Sequence, residues 1–137
     1  MTFGGRRERR ARAGVGGTLL LGALLAAGCA TTPADPTQPT TVRAHAMSPY
    51  AMHEECRRVA VGERIDYYFT STFPVDFNIH YHEGNVVAMP IVRDKSYEDS
   101  GVFVASIAQD YCLMWEAGPT GATLNYGLRL RPPVAAQ

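Results

Sequence analysis

Between residues 62 and 131 the chain alternates apolar and polar positions in short runs separated by turn residues. Val75, Phe77, Ile79 and Tyr81 alternate with Asp76, Asn78, His80 and His82. A period of two places one set on each face of a strand, the first buried and the second wet. Before it, residues 64–72 are rich in aromatic and β-branched types, and Phe73-Pro74 interrupts the run. Glu83-Gly84-Asn85 has turn chemistry, and a strand follows over 86–92. Pro90 in that run suits a sheet edge, because proline has no N–H to give a ladder.

Residues 93–101 read as a charged loop, and 102–108 and 111–116 as two further strands. Tyr111, Leu113 and Trp115 share one face of the second. After a turn at 117–121, residues 123–131 close the domain with Leu124, Tyr126, Leu128 and Leu130 inward. Ahead of the alternating region, 49–56 reads as a short helix capped by Ser48, or 55–61 as a first strand. The sum is an all-β domain, a small antiparallel β-sandwich.

The first 28 residues follow another rule. Five arginines, Arg6, Arg7, Arg9, Arg10 and Arg12, precede a short apolar run ending in Ala26-Ala27-Gly28-Cys29. A basic head, an apolar centre and small residues before a cut are the parts of a signal peptide. The run is broken by Gly14, Gly16, Gly17 and Gly22, and is shorter than the roughly 20 apolar residues of a membrane span. Cys29 directly after the small residues resembles a bacterial lipobox, with Ala26 where leucine is usual. That resemblance implies acylation of Cys29 and membrane anchoring through the lipid. Ala30, in place of the Asp that marks inner-membrane retention in some bacteria, points to the outer membrane, facing the periplasm.

Cleavage changes the charge. The whole chain carries 13 basic and 13 acidic residues, of which five arginines and Glu8 precede Cys29, leaving 8 − 12 = −4. An acidic mature chain has no basic patch for phosphates, which argues against nucleic acid as a partner. Residues 29–41 form a Thr/Pro-rich linker too polar to bury a core, read as a disordered tether for a domain over 42–133, with a tail at 134–137.

Cys56 and Cys112 remain as an even pair in an exported domain, which reads as a disulfide. A redox or metal-binding thiol pair is the weaker reading, since neither cysteine sits in a C-x-x-C. His80 and His82 are the sharpest polar pair, because residues two apart on a strand share a face and paired imidazoles bind Zn²⁺, Cu²⁺ or Ni²⁺. Glu83, His53 or Met89 would have to add ligands, since a closed site needs about four. The alternative for the pair is a solvated strand face. Asp94, Glu98, Asp99 and Asp110 match no Ca²⁺ loop. Glu54 and Glu55 are a carboxylate pair on paper, but adjacent residues seldom face one pocket. No nucleophile has a base at recognisable spacing, and no cofactor motif is present. Tyr67, Tyr68, Phe69 and Trp115 read as core.

Cys56 to Phe69, Val75-Asp76-Phe77-Asn78-Ile79, Gly101-Val102-Phe103 and Tyr111-Cys112-Leu113-Met114-Trp115-Glu116 follow one another in an order that resembles the GOLD domain. That β-sandwich occurs in eukaryotic early-secretory cargo receptors and some lipid-transfer proteins. The second cysteine of the receptors lies three residues after the Tyr, whereas Cys112 follows Tyr111 by one, on the same face of its strand. Ala117 stands where the receptors often have Asn. The resemblance implies a binding or interaction module rather than an enzyme. The expected function is a lipid-anchored, non-catalytic binding module of the cell envelope, with an envelope protein or lipid as partner. The alternative is a periplasmic metal-binding lipoprotein using His80 and His82.

Overall fold

The computed structural model describes residues 35 and 38–134. Residues 1–28, read above as a signal peptide, Cys29 and residues 30–34, 36–37 and 135–137 lie outside the described residues. Six strands make up the domain: β1 (Thr40–Met47), β2 (Met52–Val59), β3 (Arg64–Glu83), β4 (Val86–Val104), β5 (Gln109–Ala117) and β6 (Ala122–Arg131). The fold is all-β and every pairing is antiparallel.

The long β3–β4 hairpin organises it. β4 pairs with β3 from Arg64↔Val104 to Glu83↔Val86. The other side of β3 is shared: its first part pairs with β6 from Arg64↔Arg131 to Ser71↔Leu124, its second with β5 from Val75↔Ala117 to His80↔Cys112. β1 adds to β6 and β2 to β5. The single sheet therefore curls, and its two halves close over each other as a small sandwich. Phe69, Phe77, Trp115 and Tyr126, each 1% exposed, meet between the halves. Trp115 lies 4.6 Å from Tyr126 and 5.5 Å from Phe77, centroid to centroid. Leu113, Leu124, Ile65 and Ile79 complete a dry centre, and Leu128 and Leu130 are buried beside it.

Several expected boundaries move. Phe73-Pro74 does not end a strand: β3 runs through it with a shift of register between Thr70 and Val75, where it leaves β6 for β5. Residues 93–101 are not a loop but the middle of β4, with their charged side chains on an edge strand bonded, among the described residues, to β3 alone. Alternating charge hid a strand whose outer positions face water. Pro90 lies on that edge, as its missing N–H requires. Residues 49–56 form no helix; a turn, with Ala51 N–H donating to Ser48 O at 3.0 Å, leads into β2. Thr40 and Thr41, assigned to the linker, open β1. Tyr68, expected in the core, is 46% exposed and lies over Gly127, the opposite residue of β6.

Candidate functional site

The bend of the sheet creates a groove of about 460 Å³. As β3 passes from β6 to β5, residues 72–74 have no ladder pairing on that side, and Phe73 turns outward to 46% exposure. Pro119 of the β5–β6 turn and Tyr50 of the β1–β2 turn, the latter 67% exposed, line it together with Phe73. Tyr50 N–H donates to Gly118 O at 3.2 Å, fixing one turn to the other. Asp76, Glu116 and Lys95 supply the charges of the lining.

The backbone is strained here. Tyr50 (φ 60°) and Lys95 (φ 49°) are two of the three non-glycine residues in the left-handed region among the described residues. Each such residue costs about 1–2 kcal/mol relative to ordinary conformations. The Lys95 kink is held by Asp76, whose Oδ1 accepts from Lys95 N–H at 2.8 Å.

A second polar arrangement closes the seam between β1 and β2, which follow one another but are not paired. His45 and His53 pack with ring centroids 4.1 Å apart. Arg57 Nη2 donates to Thr40 Oγ1 at 2.5 Å, and Arg57 pairs with Glu55. Tyr126 Oη donates to Glu55 Oε2 at 3.3 Å and accepts from His53 Nε2 at 2.9 Å, since the phenol has one proton to give. Burial, then His45, hold the His53 pKa below its usual value, against the pull of Glu55. Burial and Glu55 push Tyr126 up to about 12. His53 enters the sequence reading only as an added metal ligand, and His45 not at all. Their signal was the turn: each lies four residues from Pro49.

The outer face of β3, expected to be wet throughout, is exposed at Asp76 and His82 but dry between them. Asn78 and His80 are 7% and 3% exposed. Asn78 Oδ1 accepts from His80 Nδ1 at 2.8 Å. His80 Nε2 points at Glu54 Oε1, 3.6 Å away. Desolvation holds His80 below its ordinary pKa, opposed by Glu54 and helped by His82. His80 and His82 do share a face, with ring centroids 5.2 Å apart, but His82 is exposed.

Cys56 and Cys112 stand opposite one another on β2 and β5 and form a disulfide, Cα to Cα 4.0 Å. The acidic residues weighed for Ca²⁺ disperse: Asp99 pairs with Arg93 at 3.1 Å and accepts from Tyr67 Oη, and Asp110 pairs with Arg58. Glu54 and Glu55 lie on opposite faces of β2, as adjacent strand residues must. The chain matches no protein-family model and no curated protein sequence.

Proposed function

We propose that the chain is a lipid-anchored cell-envelope protein, attached through Cys29, whose GOLD-like β-sandwich is a non-catalytic binding module. The observation that carries the binding reading is the groove at the bend. It combines two exposed aromatics with two left-handed non-glycine residues, and strain of that kind persists where surrounding structure holds it for a purpose. Aromatic and proline side chains in a shallow groove suit an extended peptide. The charged side chains of the lining are two acids and one base. The occupant is therefore an extended segment of an envelope protein, with an apolar side chain flanked by a basic one. The disulfide fits an oxidising compartment, and the lipobox-like Cys29 supplies the anchor.

Two measurements test this. Labelled palmitate is expected in the wild-type protein and absent from Cys29→Ser; equal labelling of both overturns the anchor. A photo-crosslinking residue at position 73 is expected to capture segments with basic residues beside an apolar one, and to lose them with Tyr50→Ser. Captured segments without basic residues, or capture unaffected by Tyr50→Ser, overturn the groove.

A further inference from the structure

Away from the groove, the outer face of β2, β5 and β3 gathers three donors, Glu54, Cys56 and Cys112, with a fourth, His80, beside Glu54. The carboxylate of Glu54 and the sulfurs of Cys56 and Cys112 all lie within 4.8 Å of one another. His80, beside Cys112 in the β3–β5 ladder, sends Nε2 to within 3.6 Å of Glu54 Oε1. The tautomer is set from below: Nδ1–H donates to Asn78 Oδ1, so the neutral ring keeps its lone pair on Nε2. In that tautomer the Nε2 lone pair faces an oxygen of Glu54. Two acceptors so placed are an arrangement that a cation would bridge. Edges of a tetrahedron with bonds of 2.0–2.1 Å are about 3.4 Å, close to the separation found. An imidazole whose far nitrogen is held by an oxygen acceptor is also the usual arrangement behind a metal-bound histidine.

We propose that reduction of the Cys56–Cys112 disulfide opens a four-donor site for Zn²⁺, formed by Cys56, Cys112, His80 and Glu54. In the disulfide form the two sulfurs are tied to each other, and two donors remain. Cys56 is exposed and Cys112 buried, so an incoming thiolate attacks the Cys56 sulfur. The reductant is a dithiol. Its first thiolate forms a mixed disulfide with Cys56 and releases Cys112 as a thiolate. Its second thiol resolves that bond, freeing Cys56 and leaving the reductant as its own disulfide. Two electrons and two protons have passed to the protein. Zn²⁺ then replaces the two thiol protons, which leave to solvent. Three anionic donors and a neutral imidazole hold the ion, a closed set of borderline-soft character that suits zinc. His82 is not part of it, which separates this site from an H-x-H chelate.

The test is anaerobic titration of the full exported chain with Co²⁺, before and after phosphine reduction, followed by displacement with Zn²⁺. The expected result is one equivalent bound only after reduction. The bound form shows thiolate-to-metal charge-transfer absorption and tetrahedral visible bands, and Zn²⁺ abolishes both. His80→Ala and Glu54→Gln are expected to weaken binding roughly tenfold or more, and His82→Ala to leave it unchanged. Saturable binding by the oxidised chain, absence of thiolate absorption, or indifference to His80→Ala overturns the proposal. If reduction alone unfolds the chain, Co²⁺ is expected to restore its circular dichroism; failure to do so equally overturns it.

Discussion

His53 on β2 and Tyr126 on β6 meet at 2.9 Å across the inside of the curled sheet, although three strand-to-strand steps separate them along it. The contact joins the half built on β5 to the half built on β6. With Glu55 and Arg57 it runs on to Thr40, so a chain of polar side chains closes the seam that backbone hydrogen bonds leave open. Such a network rigidifies the fold because each member is satisfied by the next.

Removing the hydroxyl at its centre should loosen the closure. Tyr126→Phe is expected to lower stability by about 1 kcal/mol, read as a shift of the urea midpoint with unchanged slope. The same variant carries an alkaline signature. The folded-state pKa of Tyr126 is raised from 10.0 to about 12, so its contribution is intact below pH 10 and lost as the pH climbs toward 12. The wild-type protein should lose stability over that window more steeply than Tyr126→Phe, measured by thermal unfolding at each pH.

The acid side has the opposite slope. His53 and His80 both have folded-state pKa values below the ordinary 6.5, chiefly through burial. Between the folded value and 6.5 the unfolded chain binds more protons. Stability is therefore full above 6.5 and falls as the pH drops through the folded values. Unfolding midpoints from pH 7.5 down to about 5 should decline, and a His53→Gln/His80→Asn double variant should decline less. A double variant with the same slope as wild type would remove the histidines from the explanation.

Much of this fold was readable, because period-two alternation survives wherever one face is dry. Leu124, Tyr126, Leu128 and Leu130 are all buried, as their spacing required. The middle of β4 was not readable: Arg93, Asp94, Lys95, Glu98 and Asp99 lie on an edge strand with little to bury, and they mimic a loop. The bend in β3 was hidden for another reason, since proline usually ends a strand and here sits where the strand changes neighbours. The disulfide was legible from cysteine parity in a chain read as exported. The burial of His80 was not, because it depends on which strands flank β3, and alternation shows only that a residue shares a face with His82.

The cross-link should carry a large share of stability. Cys56 and Cys112 are 56 residues apart, and the chain-entropy relation gives about 4 kcal/mol for a loop of that size. Cys56→Ala/Cys112→Ala is expected to lose up to that amount, measured as the difference in unfolding free energy from urea titrations without reductant. Reductant should bring the wild-type protein to the level of the variant in the absence of metal. A loss under about 1 kcal/mol would mean that the denatured chain is already restricted near these positions.

Two turn glycines separate backbone strain from crowding. Gly84 (φ +60°) in the β3–β4 turn has open space where a Cβ would stand, whereas Gly121 (φ +68°) in the β5–β6 turn would bring its Cβ to 2.5 Å from Met47 O. Both need the left-handed region, which costs an alanine about 1 kcal/mol or a little more. Gly84→Ala should show only that cost. In Gly121→Ala the obstacle is backbone at the end of β1 and the start of the β1–β2 turn, so relief requires the turn carrying Tyr50 to move away from the β5–β6 turn. Its loss is expected to reach about 3 kcal/mol or more, within the range of overpacking plus strain. Because Tyr50 and Pro119 line the groove from these two turns, Gly121→Ala should also abolish the position-73 crosslinks, while Gly84→Ala leaves them intact. Equal stability losses in the two variants would show that the turns separate freely, and that the groove's shape does not depend on their contact.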